Sequence, residues 1–145
     1  MHHGNGDADI TLSNPSLLYA SSHQSPCFPG TGSVAGREGP HSNVVSAPLP
    51  AGAGSPEFKG AWATFLLPIV EAFEPEAIFL SAGFDGHAED AVASMALDDD
   101  DFEWITAEVC RRFPGTPIVS VLEGGYNVVA LERSCRAHIR GLIET

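Results

Sequence analysis

Apolar residues fall along this chain in two rhythms. Residues 77–82 (AIFLSA) and 118–122 (IVSVL) are short unbroken apolar runs, as expected of strands buried on both faces. Elsewhere the spacing changes to three and four. Phe58, Trp62, Phe65, Leu66, Ile69 and Phe73 mark a helix over 57–73, with Pro68 expected to kink it. The pattern predicts two more helices, over 99–113 and 128–143. Asp98, Asp99, Asp100 and Asp101 open the first of these, where a capping oxygen and the helix dipole both favour acids. They lack the alternation and glycine of a calcium loop. Runs at 17–21 and 43–47 read as further strands, the second ended by Pro48 and Pro50. Residues 1–16 read as irregular, and 22–40 as a long Gly- and Pro-rich loop of the kind that carries function.

Strands alternating with amphipathic helices predict an α/β domain, a parallel sheet with helices on both faces. Ligands of such sheets bind beyond the C-terminal strand ends. Two predicted strands end there in polar, glycine-rich segments, Ser81-Ala82-Gly83-Phe84-Asp85-Gly86-His87 and Glu123-Gly124-Gly125-Tyr126-Asn127. Ser21-Ser22-His23 closes a third. A length of 145 residues suits one domain with a real core.

Composition narrows the function classes. With 43% hydrophobic and 18% charged residues the chain reads as globular, and no run approaches the roughly 18 apolar residues of a membrane span. The formal net charge is −12 with only 7 Lys and Arg, which argues against direct nucleic-acid binding and suits a cationic partner. Cys27, Cys110 and Cys135 are far apart and form no CxxC, which points to a reducing compartment and to Cys110 and Cys135 packing in the core. The start has no basic patch followed by an apolar region, so the cytoplasm is the default expectation, with the nucleus open in a eukaryote.

Asp85 lies just past a buried strand, between Gly83 and Gly86. It suits a metal ligand or a general base, and equally a turn cap; the segment alone leaves both open. Tyr126 follows two glycines that let the backbone approach another segment, where a hydroxyl can donate to an oxyanion. Taken alone, a tyrosine packed beneath a loop is the commoner arrangement. His2 and His3 are adjacent, so at most one points into a given site, and no HExxH or CxxC supplies a local partner. Gly30-Thr31-Gly32 is too short for a phosphate cradle.

Five segments in order, His2-His3-Gly4-Asn5-Gly6, Ser21-Ser22-His23, Phe28-Pro29-Gly30-Thr31-Gly32, SAGFDGH and LEGGYN, resemble the histone deacetylase and acetylpolyamine amidohydrolase superfamily, closest to its class II and bacterial branch. The resemblance covers nearly the whole chain, as the C-terminal portion of a single arginase/deacetylase-like domain truncated at its N-terminus. It implies zinc-dependent hydrolysis of an acetyl-amide on a lysine protein or a polyamine. By position His2 and Asp85 match two zinc ligands, and Tyr126 the tyrosine that stabilises the oxyanion. Phe28 matches a wall of the acyl-lysine tunnel, Gly124 and Gly125 its floor, and Ser21 a ligand of a structural potassium. The family's first Asp ligand stands two residues before the His ligand, a position that falls before Met1. Its general-base His pair lies further upstream, and His2-His3 is not that pair. Ala91 stands where the family commonly has Pro.

The isolated chain is therefore expected to lack substantial activity, its missing half or an oligomer partner being needed. A non-catalytic module that binds acyl-lysine or pairs with a deacetylase is the alternative; the unpaired sheet edge it would expose stands against it. Arginase-type paired-manganese chemistry fits the fold but not the LEGGYN tyrosine or the single Asp of GFDGH.

Overall fold

The computed structural model describes residues 1–144. In chain order the elements are α1 (Asn5–Leu12), β1 (Tyr19–Gln24), β2 (Gly36–Glu38), β3 (Val44–Leu49), α2 (Ser55–Ala61), α3 (Leu67–Phe73), β4 (Ile78–Ala82), α4 (Asp99–Arg112), β5 (Ile118–Leu122) and α5 (Val128–Ile143). The strands form two sheets. β1 and β4 each pair in parallel, with β3 and β5 respectively, and β2 adds antiparallel to β3.

Residues 1–16 are not irregular: α1 occupies half of them, and Ala8 and Thr11 are buried. Its polar sequence hides it, because this helix buries small residues rather than an apolar stripe. Asn43 fixes the turn after it, donating through Nδ2 to the carbonyls of Thr11, Asn14 and Leu17. The 22–40 loop is shorter than expected, since β1 runs on to Gln24 and β2 lies within it. Pro48 does not end β3 either. The Ser25 N–H donates to the Leu49 carbonyl, so the nitrogens of alternate β3 residues, Pro48 among them, face the β2 side. β2 pairs only as far as Ser46, so the missing N–H has no acceptor to lose.

The 57–73 helix is present and its proline has the expected consequence in a milder form. A π-turn at Trp62–Leu66 joins α2 to α3, with the Leu67 N–H donating five residues back to Trp62. Pro68 then sits in the first turn of α3, where its absent N–H costs nothing. The acid run caps α4: the Asp98 carboxylate accepts from the Asp100 N–H at 3.1 Å, and Asp101 accepts from the Asp98 N–H at 3.0 Å. Fully buried Asp101 also faces the Lys59 ammonium at 3.1 Å and takes a short hydrogen bond from Ser55.

Val44 and Val45 are both buried, so both faces of β3 are covered. Leu66 packs on Val45 and Ala47, while Leu67, Val109 and Phe113 pack on Ile78, Leu80 and Ile118. Phe58, Phe84, Leu97 and Phe102 form the third cluster, with Cys135 against it; Cys110 is half-buried. Among the described residues the far face of β4–β5 is open, with Phe79, Val119 and Val121 exposed. Among the described residues no helix is long and apolar enough to cross a membrane.

Candidate metal and acyl-amide site

The strand ends hold the polar residues. Phe84 packs edge-on against Phe102 in the core, with ring centroids 5.1 Å apart. That anchors the turn after β4 and leaves the next residue, Asp85, at the sheet's C-terminal end. Asp85 is 2% exposed. Its Oδ1 lies 2.9 Å from the Met1 ammonium and its Oδ2 3.5 Å from His2 Nε2. A Cβ on Gly124 would overlap the Asp85 carboxylate, so the close approach of the two strand ends requires glycine there. Gly125 has φ +141, and a Cβ on it would meet Leu131 at 2.7 Å.

His2 Nδ1 lies 2.8 Å from the Phe28 carbonyl, which can only accept, so Nδ1 carries the proton. Nε2 is then turned to the Asp85 side. A partner that fixes one ring nitrogen and frees the other is the usual support of a metal-ligating histidine. The Phe28 ring stands edge-on to His2 at 5.9 Å and is 77% exposed. Cys27 Sγ is 3.7 Å from His2 Nδ1.

His3 turns the other way, as expected of adjacent histidines. Its Nδ1 meets Thr31 Oγ1 at 2.8 Å, and its ring stacks at a tilt 4.7 Å from that of His23. His3 Nε2 is buried without a hydrogen-bond partner. His23 donates from Nε2 to the Gly32 carbonyl, so its Nδ1 accepts from the Ser21 hydroxyl at 3.0 Å. Burial pushes both imidazoles below their ordinary pKa. A Cβ on Gly32 would collide with both rings. His87 also points inward, its Nε2 3.5 Å from Asp99.

Tyr126 is 63% exposed at the end of β5. Its backbone N–H donates to Asp90 Oδ2 at 2.6 Å, and that of Asn127 to the same oxygen at 3.1 Å. Asp90 Oδ1 accepts from the Val92 N–H. Burial alone would raise the Asp90 carboxyl, but these three amides outweigh it and hold it below the usual carboxylate range. His2, Phe28, Asp85 and Gly124 thus gather at one place, with Gly125 and Tyr126 on the adjoining turn. The Ser21 hydroxyl is engaged with His23. No local spacing links Asp90 to Tyr126; the signals are its match to a family Asp, just before Ala91, and its place five residues after Asp85 in the same loop.

The family model of the histone deacetylase domain matches residues 1–142. The chain belongs to the histone deacetylase family. It is 40% identical to a probable deacetylase of Methanothermobacter thermautotrophicus, over 98% of this chain and 44% of that protein. To a histone deacetylase-like amidohydrolase of Pseudomonas aeruginosa it is 36% identical, over 88% of this chain and 35% of that protein. The crystal structure of the HDA15 HD domain superposes with TM-score 0.88 at 30% identity, covering 96% of this chain and 40% of that one. The chain spans less than half the length of the relatives it matches. The family carries the α/β deacetylase fold, and the parallel pairs described above are part of it.

Zinc in a catalytic site takes three protein ligands and an open position. Among the described residues no group of three His, Cys, Asp or Glu side chains is placed to hold a metal. His2 and Asp85 nonetheless fit two of the three positions, as an imidazole nitrogen and a buried carboxylate 3.5 Å apart.

Proposed function

We propose that this chain forms the C-terminal part of a zinc-dependent deacetylase that hydrolyses acetyl-amides on lysine side chains or polyamines. The observation that carries the reading is the His2 ring, proton committed to Phe28 and Nε2 turned toward Asp85. His2 and Asp85 would hold the zinc. Bound there, zinc would supply Lewis-acid polarisation of the substrate carbonyl and of a water.

The chain's own residues do the rest. The Tyr126 hydroxyl donates a hydrogen bond to the carbonyl oxygen, and that bond strengthens as negative charge develops on it. Asp90 sets where the tyrosine stands by holding its backbone. The exposed Phe28 ring packs along the acyl-lysine stem and keeps water from its sides. Gly124 and Gly125 keep the floor free of side chains. Ser21, within β1, would contribute to a potassium site. The acidic surface, net −12, favours a cationic substrate. The third ligand and the general base come from outside these 145 residues, so the chain alone is inactive.

The test assays the chain alone and mixed with the complementary region of the Methanothermobacter relative, on an acetyl-lysine peptide and an acetylpolyamine. Turnover is expected only in the mixture, lost on chelation and restored by zinc, and abolished by Asp85→Ala and Tyr126→Phe. Chelator-resistant turnover, full activity of Asp85→Ala, or rapid turnover by the chain alone would sink the proposal.

A further inference from the structure

Glu89 is held through each of its polar groups. Its N–H donates to His87 Nδ1 at 3.0 Å, its carbonyl accepts from Asn127 Nδ2 at 2.9 Å, and its carboxylate accepts from Arg133 Nη2 at 2.7 Å. Arg133 Nε donates in turn to Asp99 Oδ2 at 2.9 Å. His87 Nδ1 is an acceptor, so Nε2 carries the proton, and it faces Asp99 Oδ1 at 3.5 Å. Glu89, His87, Asp99 and Arg133 thus close a ring. It joins the turn after β4 to the first residue of α4 and the second turn of α5.

The ring does little for overall stability. The Glu89 and Arg133 side chains are 53% and 41% exposed, and ion pairs in water contribute little. It grips the neighbours of Tyr126 instead. Asp90, next to Glu89, takes the Tyr126 N–H. Asn127, next to Tyr126, holds the Glu89 carbonyl, and its Oδ1 caps α5 through the amides of Val129 and Ala130. The tyrosine needs such a hold. It is 63% exposed, so packing does little to aim its ring. Gly124 and Gly125 precede it, and glycines restrain the backbone least. The restraint therefore comes from the side of α5.

We propose that Glu89 and Arg133 are positioning residues for Tyr126. With His87 and Asp99 they lock the start of α5 to the turn after β4, and so fix where the tyrosine hydroxyl stands relative to Asp85. The inference rests on the reading of Tyr126 as the donor to the substrate carbonyl. A misplacement of about 1 Å costs on the order of a hundredfold in rate, so two exposed side chains that touch no substrate govern turnover.

The test reads amide exchange by NMR in the full, isotope-labelled chain and in three variants. Glu89→Ala and Arg133→Met are each expected to speed exchange of the Tyr126 and Asn127 amides at least tenfold. Both are expected to move the Tyr126 amide proton upfield as its short hydrogen bond lengthens. The Ile78 amide, which donates to the Pro117 carbonyl, is expected to stay within twofold. Glu89→Gln keeps an acceptor for Arg133 and is expected to recover most of the protection. In the mixture with the complementary region of the Methanothermobacter relative, Glu89→Ala is expected to lower kcat at least tenfold and leave KM within threefold. Unchanged exchange at Tyr126 and Asn127, equal acceleration at Ile78, or an unchanged kcat overturns the proposal. A mixture inactive with the parent chain counts against the deacetylase reading, and the exchange rates then decide this proposal by themselves.

Discussion

The Asp90 carboxylate accepts the backbone N–H of Tyr126 at 2.6 Å, across thirty-six residues of chain. This one group ties the turn after β4, which carries Asp85, to the turn after β5, which carries the tyrosine. With the amides of Asn127 and Val92 it satisfies three donors at once. Asp90→Ala takes the acceptor from those part-buried amides, and losing hydrogen bonds to a charged group costs about 1–3 kcal/mol. Urea unfolding at pH 7 is expected to show that loss. Asp90→Asn, which keeps an acceptor oxygen, is expected to lose less. Equal stability of Asp90→Ala and the parent chain would refute the clamp.

Glycine 124 is required by contact rather than by turn geometry. A methyl group there overlaps the Asp85 carboxylate, which the Met1 ammonium and His2 hold from the other sides. Gly124→Ala must push the two strand ends apart, and overpacking of this kind costs about 1–3 kcal/mol. A lowered unfolding midpoint checks it. An unchanged midpoint would mean that the strand ends yield freely and that Asp85 is not tightly held.

The opposite outcome is expected at Gly60. It lies within α2, and a Cβ there meets nothing within 4 Å. Alanine limits the unfolded chain and suits a helix interior, so Gly60→Ala is expected to stabilise by about 0.5–1 kcal/mol. A rise in thermal midpoint is the readout. A fall would show that the π-turn beginning two residues later depends on the glycine.

The contrast between such sites bears on what a sequence reveals. The long periodic elements, α4, α5 and the strands β4 and β5, were legible because each buries one kind of face and so repeats at one period. The α4 cap was legible because acids at a helix start have one physical reason to be there. α1 was not, because it buries Ala8 and Thr11 rather than a stripe of large apolar residues. β2 and the end of β3 escaped for a related reason: Pro48 reads as a terminator unless one knows which side of the strand its nitrogen faces. Within the site, Asp85 and Tyr126 stood out through the glycines beside them. The proton on His2 Nδ1 and the reach of Asp90 depend on Phe28 and Tyr126 arriving from elsewhere in the chain, and no local pattern encodes that.

A last prediction concerns acid. The Thr106 hydroxyl donates to the Phe102 carbonyl at 2.7 Å, so its oxygen is left to accept from His138 Nδ1 at 2.6 Å. His138 Nε2 then accepts from Ser120 at 2.8 Å. The neutral ring is fully satisfied between α4 and β5, and burial lowers its pKa. His3 and His23 are lowered by burial as well. In the unfolded chain these imidazoles take up protons near pH 6.5. Between that value and their lower folded values the unfolded state holds more protons, so stability rises with pH there and is lost as pH falls. Each histidine contributes a slope of at most about 1.4 kcal/mol per pH unit. Urea unfolding is expected to show constant stability above pH 7.5 and a decline from about pH 6.5 downward. His138→Asn is expected to flatten part of that decline even if the variant starts less stable, because the slope counts protons and not contacts. A flat profile from pH 7.5 to 5.5 in the parent chain would show that the buried imidazoles titrate alike in both states.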